Sequence, residues 1–287
     1  MSYINRLNHA FENAPVLPVN THTKYVFFSD CHRGIGDNND NFLKNINSYY
    51  AALQYYYQYN FCYIEVGDGD ELWENHTLNQ IMEIHHDIFL LLSHFHKANH
   101  LFMLYGNHDI IKKKHEPLFR DFKFYEAVIL RSELPSFNLY VTHGHQADIW
   151  NSKLWRLTRF LVRYLWTPLE YFGILDPTSA AKNNTKKNSV ENKLADYAKT
   201  SNIQLLTGHT HKPTLGSSSS PYYNCGSCVH PRAITCIELC GFTMNLVKWY
   251  ESAEKSVHFR DIYNQCPPAY PVYVKREVID WTDLFSR

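Results

Sequence analysis

No stretch of this chain approaches the roughly 18 uninterrupted apolar residues that a membrane-spanning helix needs. The opening segment, MSYINRLNHAFENAPVLP, carries Asn, Arg and Glu throughout and lacks the apolar core of a secretion signal. Charge of one sign is also missing. Lys+Arg and Asp+Glu both total 28, which removes any global argument for a nucleic-acid or membrane partner. Seven cysteines, an odd number without a secretion signal, predict reduced thiols and a cytoplasmic location. Cys225 and Cys228 form a C-x-x-C with Cys236 and Cys240 nearby. Because the second pair lies in the strand-like run ITCIELC, these read as buried free thiols in preference to a structural zinc site. No internal repeat and no Gly/Ser linker divides the 287 residues, so one domain is expected over residues 1–287.

What the chain has in quantity is 17 His, 21 Tyr and 17 Phe. The aromatic residues suit a core, whereas the histidines matter where their spacing makes them converge. Lys24–Phe28, Phe61–Val66 and His100–Leu104 read as strands rich in aromatic and branched residues. Between the first two, Phe42, Ile46, Tyr49, Leu53 and Tyr57 recur at helical spacing. Leu78, Ile81, Ile84, Ile88, Leu91 and Phe95 do so between the second and third. Strand–helix–strand–helix–strand predicts a parallel sheet with crossover helices. From about Phe124 the strands crowd together: Tyr125–Leu130, Leu139–Thr142, Ile203–Thr207, Tyr222–Cys225, Ala233–Leu239 and Thr243–Tyr250. These predict a second, mixed or antiparallel sheet packed on the first. The expected fold is therefore α/β, two packed mixed β-sheets flanked by helices. Residues 149–200 interrupt the strands and read as a helical insertion, a cap or lid. Cys266–Val272 reads as an extended tail.

Five short motifs follow apolar strands directly, where open α/β sheets place ligands. They are Asp30-Cys31-His32, Gly67-Asp68, Gly106-Asn107-His108-Asp109, His143-Gly144-His145 and Gly208-His209-Thr210-His211. Carboxylate, amide and imidazole suit borderline divalent ions such as Mn, Fe or Zn, and the set lacks thiolate. Two cations about 3.5–4 Å apart repel unless an anion lies between them. The isolated acid of Gly67-Asp68 is the natural bridge. His145 is a rival to His143, but the strand-end position and the following glycine favour His143.

In this order the five motifs resemble those of the calcineurin-like metallophosphoesterases, over about residues 25–212. The resemblance implies a hydrolase that cleaves a phosphomonoester, phosphodiester or pyrophosphate bond with two divalent metal ions, Mn foremost, through a metal-bridging hydroxide. By position it assigns Asp30, His32, Asp68 and His211 to one ion and Asp68, Asn107, His143 and His209 to the other. It gives His108 contact with the substrate phosphate and Asp109 the task of orienting His108. In layout the chain is most similar to the UDP-2,3-diacylglucosamine hydrolase branch, through GDELWE at Gly69–Glu74 and the insertion between His143 and His209. It departs from that branch at His108, where arginine is frequent. It also resembles small bacterial phosphodiesterases in Cys225-Gly226-Ser227.

Arg33, next to the first motif, is placed to donate to a phosphate oxygen or else to lie at the surface. The insertion holds nine basic residues against four acidic ones. Arg156, Arg159 and Arg163 share one helical face, and Trp150, Leu154, Leu157, Leu161 and Leu165 the other. That pattern fits a lid with a cationic face toward a nucleotide-type phosphate ester, Arg156 and Arg163 contacting it. An apolar face toward acyl chains or a membrane surface, or an ordinary solvated helix, fits it too. The functional alternatives are a cyclic-nucleotide or nucleic-acid phosphodiesterase, a phosphoprotein phosphatase, and a metal-binding scaffold without activity. A nuclease would show a broader basic surface. His85 and His86 have no partner motif and read as surface or packing residues.

Overall fold

Tyr25, Val26, Phe27 and Phe28 are buried on alternate faces of one strand, and that alternation places the first sheet between two cores. A computed structural model describes residues 2–37, 40–74, 77–114, 122–133, 136–152, 155–162, 184–217, 219–252 and 273–279. The strands are β1 (Val16–Pro18), β2 (Lys24–Phe28), β3 (Cys62–Glu65), β4 (Leu101–Leu104), β5 (Phe124–Tyr125) and β6 (Ala127–Ser132). There follow β7 (Phe137–Thr142), β8 (Gln204–Thr207), β9 (Tyr222–Asn224), β10 (Ile234–Cys240), β11 (Thr243–Ser252) and β12 (Tyr273–Val278). They form a seven-stranded sheet ordered β12-β11-β10-β2-β3-β4-β5 and a five-stranded sheet ordered β1-β6-β7-β8-β9. Both are mixed. β2, β3, β4 and β5 run parallel, as do β7, β8 and β9, while β10 and β11 are antiparallel to their neighbours.

The helices are α1 (Tyr3–Glu12), α2 (Ile46–Gln58), α3 (Leu78–Ile84), α4 (His86–Lys97), α5 (Ile149–Ser152), α6 (Trp155–Leu161) and α7 (Asn184–Thr200). Phe27, Ile64, Val66 and Leu104 of the first sheet meet Val128, Leu139, Val141 and Leu206 of the second in the sandwich core. Val26, Phe28 and Tyr63 on the other face pack against Tyr49, Leu53, Leu92 and Phe95 from α2 and α4. α1 and α7 cover the outer face of the second sheet through Leu7, Phe11, Val190, Leu194 and Tyr197. Each fully buried apolar side chain contributes about 1.5–3 kcal/mol.

Three expectations change. The late strands do not all enter the second sheet: β10 pairs antiparallel with β2, Ile237 opposite Phe27, and extends the first sheet with β11 and β12. The apolar residues of β10 are buried on both faces, Ile234 and Cys236 in one core and Ile237 and Leu239 in the other, so periodicity does not reveal which sheet receives it. The helical run from Leu78 to Phe95 is broken at His85 (φ −104°, ψ 31°), whose buried ring turns inward to the Gly34 carbonyl at 3.1 Å. Packing, the alternative reading of that residue, is its role. Before Lys24 the sequence suggested no element, yet α1 forms, with the Ser2 hydroxyl capping Asn5 N. Cys266–Val272 lies outside the described residues. Of the insertion, α7 belongs to the body of the fold, which leaves a covering role, within the described residues, to α5 and α6.

Candidate metal centre

Each motif begins where a strand stops. Asp30 follows β2, Asp68 follows β3, Asn107 follows β4, His143 follows β7 and His209 follows β8. Packing the two sheets face to face brings these five strand ends into one place. Donor atoms of Asp30, His32 and His211 all lie within 4.8 Å of one another, and those of Asp68, His143 and His209 form a second such group. Asp68 Oδ2 faces both: it is 3.1 Å from His143 Nε2 and 3.9 Å from His32 Nε2. The backbone approaches these carboxylates so closely that a Cβ on Gly106 would collide with Asp68, and one on Gly208 with Ser29 and Asp30.

Hydrogen bonds fix which atoms point inward. His143 Nδ1 donates to the Val66 carbonyl at 2.8 Å, so in the neutral ring the Nε2 lone pair faces the Asp68 carboxylate. His32 Nδ1 donates to Glu71 at 2.8 Å and turns its Nε2 toward Asp30 Oδ1, 3.7 Å away. His211 Nε2 lies 3.1 Å from the same oxygen. Asp30 Oδ2 is used by His209 N (2.8 Å) and Ser29 Oγ (2.6 Å), which leaves Oδ1 for the histidines. Asp68 Oδ1 accepts from His108 N at 2.8 Å, which leaves Oδ2. Asp30 Oδ1, Asn107 Oδ1, His143 Nε2 and His209 Nε2 are buried without a hydrogen bond. Lone pairs facing lone pairs in a dry site repel unless a proton or a cation lies between them.

The electrostatics state the same demand. Burial pulls His143 toward its neutral form, yet Asp68 and Asp30 outweigh it and raise its pKa to about 9. Burial would also favour a protonated Asp68, but His143 and His108 hold the carboxyl well below the usual range. A divalent cation can take the place of those protons, so the donor set fits two such ions.

His108 has its Nδ1 on Glu71 at 2.8 Å, its ring stacked on Trp73 at 4.2 Å, and its side chain partly exposed. Burial lowers its pKa, but Glu71 and Asp68 raise it on balance. Glu71, three residues beyond Asp68 in GDELWE, therefore orients both His32 and His108. In the sequence that string marks a branch resemblance and does not reveal this role. Asp109 does not orient His108. It accepts from Gly106 N (2.7 Å), Gly69 N (3.2 Å) and Lys112 Nζ (2.9 Å), tying together the two loops that carry Asp68 and Asn107. Burial raises its pKa.

Arg33 does not lie at the surface, and its donors are taken by carboxylates of the protein. It is fully buried, with Nε 2.7 Å from Asp70 and Nη1 and Nη2 2.8 and 2.9 Å from Glu65. Once β2 and β3 are parallel neighbours, the carboxylates of β3 and its loop surround residue 33. His145 is buried with its ring 5.5 Å from that of His143, which occupies the Asp68 group. Asp148 was not anticipated: it is buried, with Oδ2 3.6 Å from His209 Nε2. Arg163 and the side chain of Arg156 lie outside the described residues. No described helix is long and apolar enough to cross a membrane.

No protein-family model and no curated protein matches the chain. Among solved structures it is similar to a mutant cold-active protein tyrosine phosphatase, at 14% identity and a TM-score of 0.43, covering 81% of this chain and 78% of that one. It is also similar to the cold-active protein-tyrosine phosphatase of a psychrophilic Shewanella species, at 12% identity and a TM-score of 0.41, with the same coverage. Likeness at that level is too slight to bear on the chemistry, which rests on the residues themselves.

Proposed function

We propose that this chain is a phosphoesterase that works with two divalent metal ions, Mn foremost and Fe or Zn as alternatives. One observation carries the reading. Among the described residues, the non-glycine positions with left-handed backbone are three asparagines, Asn60, Asn99 and Asn202, and five candidate ligands. The five are Asp30 (φ 54°), His32 (47°), Asp68 (51°), His209 (69°) and His211 (57°). Such conformations cost about 1–3 kcal/mol each, persist where the surrounding structure holds them, and gather at active sites and ligand clamps. The order of the motifs, with its resemblance to the calcineurin-like metallophosphoesterases, supports the same reading.

Asp30, His32, Asp68 and His211 would hold one ion; Asp68, Asn107, His143 and His209 the other. Two such ions supply Lewis-acid polarisation of a phosphoryl oxygen and a water of lowered pKa. The protein's own contribution is positional. Glu71 and the Val66 carbonyl keep the Nε2 atoms of His32 and His143 aimed inward. His108, the most exposed imidazole of the group, has its Nδ1 proton on Glu71, which leaves Nε2 as the ring nitrogen that would meet a substrate. A proton at that atom stabilises the leaving oxygen or a phosphoryl oxygen by hydrogen bonding. The substrate class is a nucleotide-type phosphate ester or pyrophosphate, to which the basic residues of the insertion would supply countercharge.

The test is turnover of bis-p-nitrophenyl phosphate and of a nucleotide diphosphate sugar by chelator-stripped protein before and after Mn is restored. Activity should vanish on stripping, return with Mn, and stay absent in Asp68→Ala. Hydrolysis that ignores the chelator would sink the proposal.

A further inference from the structure

Thr210 stands between His209 and His211, and those histidines serve different donor groups. Residue 210 is therefore the pivot from which one imidazole is sent to each side. Both flanking residues hold left-handed backbone, a state that persists only where the surroundings over-determine it. One restraint is Asn224, whose Nδ2 donates to the Gly208 carbonyl (2.7 Å) and to Thr210 Oγ1 (3.1 Å). The other comes from outside the sheet. The Thr210 hydroxyl has a single proton, and it goes to Glu191 Oε1 at 2.9 Å, while Lys212 Nζ donates to Glu191 Oε2 at 3.0 Å. Glu191 lies 19 residues back along the chain, on α7. That helix is fastened independently by Val190, Leu194, Tyr197 and Ala198 in the core above β8 and β9. Leu194 also lies where a Cβ on Gly144, beside His143, would touch it at 3.4 Å. α7 thus reaches both loops that carry histidines from the second sheet.

We propose that Glu191 is a positioning residue for the metal centre. By accepting the Thr210 hydroxyl and pairing with Lys212, it keeps His209 and His211 aimed at their separate groups and makes the last helix of the insertion part of the metal-binding machinery. The proposal rests on the two-metal reading above. The Lys212 side chain is 55% exposed, so it returns to solvent at little loss when its partner is removed, and the consequence of deleting Glu191 falls on Thr210.

Calorimetric titration of metal-free, full-length protein with Mn tests this directly. Glu191→Ala and Thr210→Val should each weaken Mn binding about 10–100-fold, the usual effect of removing a group that orients a ligand. Glu191→Gln still offers an oxygen to the hydroxyl and should stay within about twofold of wild type. The double variant Glu191→Ala/Thr210→Val should be no weaker than the worse single one, because both remove the same bond. If Glu191→Ala does not fold, Thr210→Val and Glu191→Gln decide the matter. Wild-type protein that binds two ions, with Thr210→Val binding them equally well whatever its melting temperature, overturns this proposal alone. Wild-type protein that takes up no Mn overturns the two-metal reading and this one with it.

Discussion

Replacing Arg33 by methionine keeps an unbranched side chain of similar length and removes a buried guanidinium. In the wild type that group spans Glu65 and Asp70 and lies over the Phe89 ring at 5.3 Å. After the substitution Asp70 keeps Lys112 Nζ at 2.7 Å, whereas Glu65 keeps only the Tyr63 hydroxyl at 3.3 Å. Glu65 is thus left buried without a hydrogen-bonded cation, so the loss is that of one broken buried ion pair, about 3–5 kcal/mol. At about 2.1 cal/mol/K per residue, 287 residues have an unfolding entropy near 0.6 kcal/mol/K, and the melting temperature should fall by roughly 5–8 °C. Differential scanning calorimetry measures the shift, and Arg33→Met/Glu65→Leu should recover much of it by removing the stranded charge. With the fold intact below the transition, KM for a phosphate ester should hardly change. A melting temperature within about 1 °C of wild type together with a tenfold rise in KM would refute the argument and return Arg33 to the substrate.

His108→Ala should lower kcat by about 10²–10⁴ with metal content intact, as read by turnover beside elemental analysis; loss of an ion would reassign His108 as a ligand. Glu71→Gln presents one carbonyl oxygen to two imidazole donors and should weaken metal binding or turnover about 10–100-fold, whereas no change in either would remove Glu71 from the site. Acid stability follows from Asp70, where burial opposes ionisation but Arg33 and Lys112 outweigh it and hold the carboxyl well below its ordinary range. A depressed folded-state pKa stabilises above the unfolded value of about 3.9 and ceases to do so as pH falls through the folded one. The melting-temperature gap between wild type and Asp70→Asn should therefore narrow from about pH 5 toward pH 2, and a constant gap would contradict the linkage.

The parallel strands and the donor residues were legible because each is local information. KYVFF is an apolar run whatever surrounds it, and Asp30, His32 and Asp68 sit at strand ends in the sequence itself. The partnership of β10 with β2 was not, since residues buried on both faces carry no periodicity that selects a sheet. The helix break at His85 was hidden by an unbroken apolar spacing, and the partner of its ring, the Gly34 carbonyl, lies 51 residues away. Second partners were lost for the same reason. Arg33 reads as a free cation until β3 brings Glu65 and Asp70 around it, and Asp109 reads as a neighbour of His108 until its oxygens are seen on Gly69 and Gly106. Glu71 had a signal in its spacing from Asp68, and Glu191 had none, because helix α7 meets the GHTH loop only in three dimensions.

Asp68 would be shared by two cations, and saturating the metal-free protein with Mn and counting ions per chain by elemental analysis measures whether it is. Two ions per wild-type chain are expected, and Asp68→Ala should lose both. A single ion at saturation, or two ions retained in the variant, would contradict the sharing.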